Sequence, residues 1–198
     1  MKLMQLAIVL ISALVALPAW AAGGPGEVEF GQKGQFVPSG SLSLSSVTTS
    51  APAGGSSTDF NFEISPRVGY FVIDNVLVGG AISGSVRSPD TGSNITSFGI
   101  GIFGGYNFNL MPKLSILPEL SFAYATSSTT ISGDKYSYGT FGMEIFVPVL
   151  WHPVTHFFIG IGPEFRTDLT SSTSVAGTSG DGAKVTVFGL ATTIGGWL

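Results

Sequence analysis

Residues 60–88 read FNFEISPRVGYFVIDNVLVGGAISGSVRS, and their alternation decides the fold. Apolar side chains take every second position at Phe60, Phe62, Ile64, Val68, Tyr70 and Val72, and again at Val76, Val78, Ile82 and Val86. The other phase holds Asn61, Glu63, Ser65, Arg67 and Gly69, then Gly79, Ala81, Ser83, Ser85 and Arg87. A period of two on both sides of a tight break predicts a β-hairpin that turns at Ile73-Asp74-Asn75. Glu63, Arg67 and Arg87 lie in mid-strand, all in the polar phase. A soluble sheet would turn them to water, whereas a barrel with a lipid-facing exterior would turn them to a polar interior.

Composition favours the second arrangement. Charged residues make up 10% of the 198-residue chain, well below the roughly 25% of soluble domains. A transmembrane β-barrel tolerates this because only alternate residues need be apolar. Lys2, the apolar run Leu6–Leu17 and the small-residue site at Ala19-Trp20-Ala21 together predict a secretory signal peptide over residues 1–21, cut after Ala21. The apolar run is short for the ~20 residues of a spanning helix. Cleavage would leave 7 of the 8 basic side chains against 12 acidic ones, a net charge of −5. With no basic patch, nucleic acid is not an expected partner. The absence of cysteine is compatible with an oxidising compartment in which no disulfide is used.

The remaining chain divides in the same way. Residues 22–34, AGGPGEVEFGQKG, are glycine-rich and aperiodic and are expected to form a flexible N-terminal stub, with the barrel over 35–198. Strands are expected at about 35–48, on both sides of the turn at 73–75, and at 94–108, 114–126, 135–150, 157–168 and 183–198. In the last, both Val185/Val187 and Phe188/Leu190/Ile194 are apolar sets, so its phase stays open. Connections alternate in kind, short at 73–75, 109–112 and 151–154, longer and rich in Ser, Thr and Gly at 49–57, 89–93, 127–134 and 171–182. The fold class expected is all-β, an eight-stranded antiparallel up-and-down transmembrane barrel with short turns and both termini at the periplasmic rim.

Eight mid-strand charges, Glu63, Arg67, Arg87, Glu119, Glu144, Glu164, Arg166 and Asp168, fall opposite the large apolar residues. Each arginine facing lipid at mid-depth would cost roughly 2–4 kcal/mol. Three would cost about as much as the whole stability of a small domain. All eight are therefore expected inside, as a charge network plugging a lumen that eight strands make just wide enough for side chains. Interfacial aromatics are expected beside the short turns at Tyr70, Tyr106, Phe108, Trp151 and Trp197, with Phe60, Phe98, Tyr124, Tyr136 and Phe165 towards the longer loops.

The run SPRVGYFVIDNVLVGG resembles a segment of the small outer-membrane β-barrel proteins of Gram-negative bacteria. The matching residues are Pro66, Val68, Gly69, Tyr70, Phe71, Val72, Asp74, Asn75, Val76, Val78 and Gly79. The run FGIGIFGGYNF at 98–108 is similar to that family's membrane hairpins. The resemblance implies an OmpX/OmpA-like barrel over about residues 35–198. It also implies outer-membrane lipid and the outer-membrane insertion machinery as partners, and no particular activity. Such barrels usually end in an aromatic residue, whereas this chain ends Trp197-Leu198.

Chemistry finds no support. Acyl transfer needs a nucleophile, a base and an orienting group within reach of one another, and the two histidines, His152 and His156, both belong to the turn between strands six and seven. Their spacing lacks the glutamate of a zincin motif. The Gly-x-Gly pairs at 99–101 and 160–162 sit within strands, not before helices. No catalytic, cofactor-binding or metal residue is expected. The functional expectation is a non-enzymatic outer-membrane barrel with a structural or surface-interaction role through its Ser/Thr/Gly loops, whose partner is open. The alternative is a narrow porin-like passage for ions or small solutes.

Overall fold

A computed structural model describes residues 29–51, 55–88, 95–131, 134–175, 178–181 and 186–198. The expected signal peptide (1–21), the first part of the stub (22–28) and the connection at 89–93 lie outside the described residues.

The strands are β1 (Phe36–Ala51), β2 (Gly55–Ile73), β3 (Val76–Ser88), β4 (Ile95–Tyr106), β5 (Phe108–Met111), β6 (Leu114–Ile116), β7 (Glu119–Ile131), β8 (Asp134–Phe146), β9 (Val149–Trp151), β10 (Phe157–Val175), β11 (Thr178–Asp181) and β12 (Thr186–Gly196). Every pairing is antiparallel. The ring runs β1-β2-β3-β4-β7-β8-β10-β12 and closes from β12 back to β1. This is an eight-stranded barrel. The short strands β5, β6 and β9 continue β4, β7 and β8 towards the end that carries the tight turns, here called the turn end. No described helix is long and apolar enough to cross a membrane, which says nothing of strands.

Proline sits at two of the three breaks that set these short strands off. The breaks fall at Asn107, at Leu117-Pro118 and at Val147-Pro148. Proline has no N–H to give the ladder, and the chain crosses each step with a single diagonal bond. Tyr106 N–H donates to Pro118 O (3.2 Å), Leu117 N–H to Pro148 O (3.1 Å) and Val147 N–H to Pro163 O (3.1 Å). The facing position must be glycine, because a Cβ on Gly162 would overlap the backbone of Val147 and Pro148.

Polarity is the reverse of a soluble barrel. Outward positions carry Ile82, Ile102, Ile161 and Phe188, which are 50%, 67%, 55% and 78% exposed. Inward positions include Arg67 and Glu119, both buried. The last strand takes one of the two phases the sequence left open: Phe188 and Leu190 point out, while Ala191, Thr193 and Trp197 are buried.

The connections expected to be long loops are mostly strand. β7 and β8 remain paired as far as Ile131 and Asp134, and β1 and β2 as far as Ala51 and Gly55. Within 171–182, β10 runs to Val175 and pairs back with β11. Serine and threonine carry no hydrophobic alternation, yet their backbones pair as well as any. The hairpins therefore continue past the apolar belt. Leu169 lies at a register shift between Asp168 and Thr170, which resets the phase of β10 on the way up.

Candidate functional site

The site is the lumen, and it is built in three levels. At the turn end lies an apolar plug made by inward residues that the alternation alone did not assign to a core. Val37, Phe71, Leu77, Phe103, Leu117, Leu150, Phe158 and Trp197 form one buried cluster with Phe30. Phe30 is the stopper. Its ring lies 5.1 Å from Phe71, His152 and Trp197 and 5.5 Å from Phe158, centroid to centroid. The expectation of a flexible stub therefore does not hold from Glu29 onwards. Asn107 Nδ2 donates to Phe30 O (3.2 Å), Asn75 N–H to Gly31 O (2.6 Å) and Gly34 N–H to Phe71 O (2.9 Å). Lys33 N–H donates to Asp74 Oδ1 (2.8 Å), and Gln35 folds the segment on itself by accepting from the N–H groups of Gly31 and Gln32. A lone phenylalanine in a polar stretch was the one signal of this in the sequence.

Trp197 is corrected with it. It was expected at the outer interface, but it is 3% exposed and stacks into the plug, because the parity of β12 turns residues 191, 193, 195 and 197 inward. Tyr70, Tyr106, Phe108 and Trp151 are exposed on the outer surface near the turn end, with the Tyr106 and Phe108 rings 4.7 Å apart. The histidines complete the plug's wall. His152 Nε2 and Ser115 Oγ share a hydrogen bond of 2.9 Å, and His156 Nδ1 donates to Trp197 O (2.8 Å). Burial holds the His152 imidazole neutral, with its pKa pushed down to about 4.

Above the plug, Arg67 Nη2 meets Glu119 Oε2 at 2.6 Å, with both side chains buried. The guanidinium carbon lies over the Phe103 ring, 3.9 Å from its centroid. That ring lies over its cross-strand partner on β3, which must be glycine because a Cβ at Gly79 would strike it. This level is a charged pair on an aromatic face.

Higher still, Arg166 is gripped by three carboxylates. Its nitrogens lie 2.9 Å from Glu63, 2.9 Å from Glu144 and 2.9 Å from Glu164. This level is wetter than the pair below, with the Arg166 side chain 37% exposed against 8% for Arg67. Of the eight charges singled out in the sequence, six are thus divided between two separate clusters. Asp168 is half-buried on β10, above the Arg166 cluster. Arg87 is paired opposite Asn61 in the β2–β3 ladder, and its side chain lies outside the described residues. Among the described residues no group of three His, Cys, Asp or Glu side chains is placed to hold a metal ion. The lumen is therefore not polar throughout, as the sequence suggested, but apolar at one end and ionic in the middle.

Fold and lumen together define an antiparallel eight-stranded β-barrel whose described interior is filled by side chains. Among solved structures the chain is similar to Neisserial surface protein A (NspA), with a TM-score of 0.55 at 14% identity over 83% of this chain and 97% of that one. The translocator domain of the autotransporter NalP from Neisseria meningitidis also overlaps it, at a TM-score of 0.45 and 11% identity over 96% of this chain and 68% of that one. The second overlap is too loose to bear on the fold. No family model matches the chain, and no curated protein matches it.

Proposed function

We propose that the protein is an integral outer-membrane β-barrel of a Gram-negative cell envelope, non-enzymatic and non-conducting, with a structural or surface-interaction role. The observation that carries this is the inverted polarity. A continuous outer belt of exposed apolar side chains surrounds buried ion pairs. Water would penalise the first and lipid would reverse the penalty. The overlap with a Neisserial surface protein supports the same setting at the level of the fold.

The sealed levels argue against the porin-like alternative. An ion would have to pass the Arg166 cluster, the Arg67–Glu119 pair on Phe103, and the Phe30 plug in turn. What remains to interact is the hairpin end, where β1–β2, β7–β8 and β10–β11 continue beyond the apolar belt. Lipid is the partner of the belt, and the insertion machinery would act during assembly.

Refolding by dilution from urea into phospholipid vesicles, followed by protease, checks this reading. The expected result is a protected core that begins near Glu29 and appears only with lipid. A protein that folds and stays soluble without lipid or detergent contradicts it.

A further inference from the structure

Among the described residues, three buried side-chain polar atoms have no hydrogen-bond partner: Asn107 Oδ1, His152 Nδ1 and Trp197 Nε1. All three belong to residues that touch Phe30. Asn107 donates to its carbonyl, and the His152 and Trp197 rings each lie 5.1 Å from its ring. Buried polar groups nearly always find a partner, and a phenylalanine side chain offers none. The docked plug therefore carries a desolvation cost that water would remove.

The segment that carries Phe30 is tied on lightly. Phe30 is the one large apolar side chain in residues 29–34, while Glu29, Gln32, Lys33 and Gly34 are exposed. Gly34 N–H donates to Phe71 O, Asn75 N–H to Gly31 O and Lys33 N–H to Asp74 Oδ1, and these bonds exist only while the segment is docked. On its outer side the segment borders an open pocket of about 430 Å³, lined among others by Lys33, Asp74 and Asn109. Gly34 has φ +96°, and an added Cβ there would meet nothing within 4 Å, so the chain has room to hinge at this point. Undocking would leave every strand pairing of the barrel wall in place, which makes it a local opening.

We propose that residues 29–34 are an acid-released stopper: protonation of His152 ejects Phe30 from the turn end and opens the apolar pocket beneath it to water, while the Arg67–Glu119 level above stays closed. The imidazole is enclosed by the rings of Phe30, Phe158 of β10 and Trp197 beyond β12, with Ser115 Oγ of β6 on Nε2. Its backbone N–H donates to Lys113 O. The ionisable groups on these elements are Glu29 and Lys33 beside Phe30, Lys113 before β6, His156 before β10 and the carboxylate of Leu198. Burial is the one cause that holds His152 down, with no charge among them offsetting it. An imidazolium in the docked plug is thus a buried charge without a counter-ion, and undocking lets water solvate it. A group that titrates at about 4 when docked and at 6.5 when hydrated favours the open form as the pH falls below 6.5, and the bias is complete below 4.

The test is amide hydrogen exchange of the refolded protein in detergent micelles, read residue by residue by NMR. The amides of Lys33, Gly34 and Asn75 report undocking, and those of Ile159 and Ile161 in β10 report the wall. Each rate is divided by the intrinsic rate at the same pH. Protection of the three reporters is expected to fall about thirtyfold between pH 7.5 and pH 5, as a pKa of about 4 docked against 6.5 hydrated requires, while the wall amides hold. His152→Phe and His152→Gln each remove the titrating ring, one keeping its bulk and the other its polarity, and the fall should vanish in both. Unchanged protection in the unaltered protein overturns acid release. An equal fall in the wall amides overturns it as well, because the whole barrel would then be loosening. A fall that persists in whichever variant folds moves the trigger to Glu29, Asp74 or His156 and overturns the role of His152. The measurement needs only folded protein, in water if detergent proves unnecessary, so its outcome is separate from that of the membrane reading.

Discussion

Arg67 and Glu119 show what one residue is worth in this lumen. Their contact is buried on every side and stands on the face of Phe103. Removing one partner leaves a buried charge without its counterpart, at a cost of about 3–5 kcal/mol. Glu119→Gln should lower the urea midpoint of the vesicle-folded barrel accordingly, and a shift within error would show that Arg67 finds water instead. His152 gives the second prediction. Its pKa is about 4 in the folded protein against 6.5 for the free side chain, so the unfolded chain binds the extra proton between those values. Stability is then full above pH 6.5 and falls as the pH drops towards 4. His152→Phe should flatten that part of the pH profile. An unchanged profile would mean that the ring is hydrated. Neither partnership could be read from the sequence. Alternation placed Arg67 and Glu119 in the inward phase, but which acid meets which base depends on strand stagger, and spacing along one strand does not encode that.

At the scale of elements, the turn end carries most of what alternation missed. Phe71, Leu77, Phe103 and Phe158 all lie in the inward phase, where polar residues were expected. The hint was local: in YFVI at 70–73 and HFFIG at 156–160 apolar residues fill both phases, as strands buried on both faces require. Phe30 then docks from outside the barrel and finishes a core that the strands leave open. Phe30→Ala is expected to cost about 3–5 kcal/mol, the range for emptying a large buried aromatic site. It should also expose Trp197, with a red shift of its fluorescence read in a Trp151→Phe background of residues 22–198, where Trp197 is the one tryptophan left. An unshifted spectrum with unchanged stability would show that the segment 29–35 only rests on the rim. The hairpin extensions were missed for a different reason. Serine, threonine and glycine give no periodic signal, so TSSTTI and the stretch after Asp168 looked like loops although their backbones pair.

For the whole molecule, strand number, antiparallel order and the alternation of apolar outside with charged inside were legible from the first hairpin outwards. A period of two has only two phases, and the arginines decide between them. The register that closes the ring was not legible. Residues on β1 and β12 lie at opposite ends of the chain, and nothing in SLSLSSVTT or TVFGLATT states that Ser39 faces Gly195. As proposed, the barrel acts as one object, a membrane-spanning wall around a lumen closed by three successive levels of side chains. Single-channel recording of the refolded protein in a planar bilayer tests it most directly, with folding confirmed by protease protection of the same preparation. A silent membrane at moderate voltage is the expected result. Stable, reproducible conductance steps from correctly folded protein would contradict it.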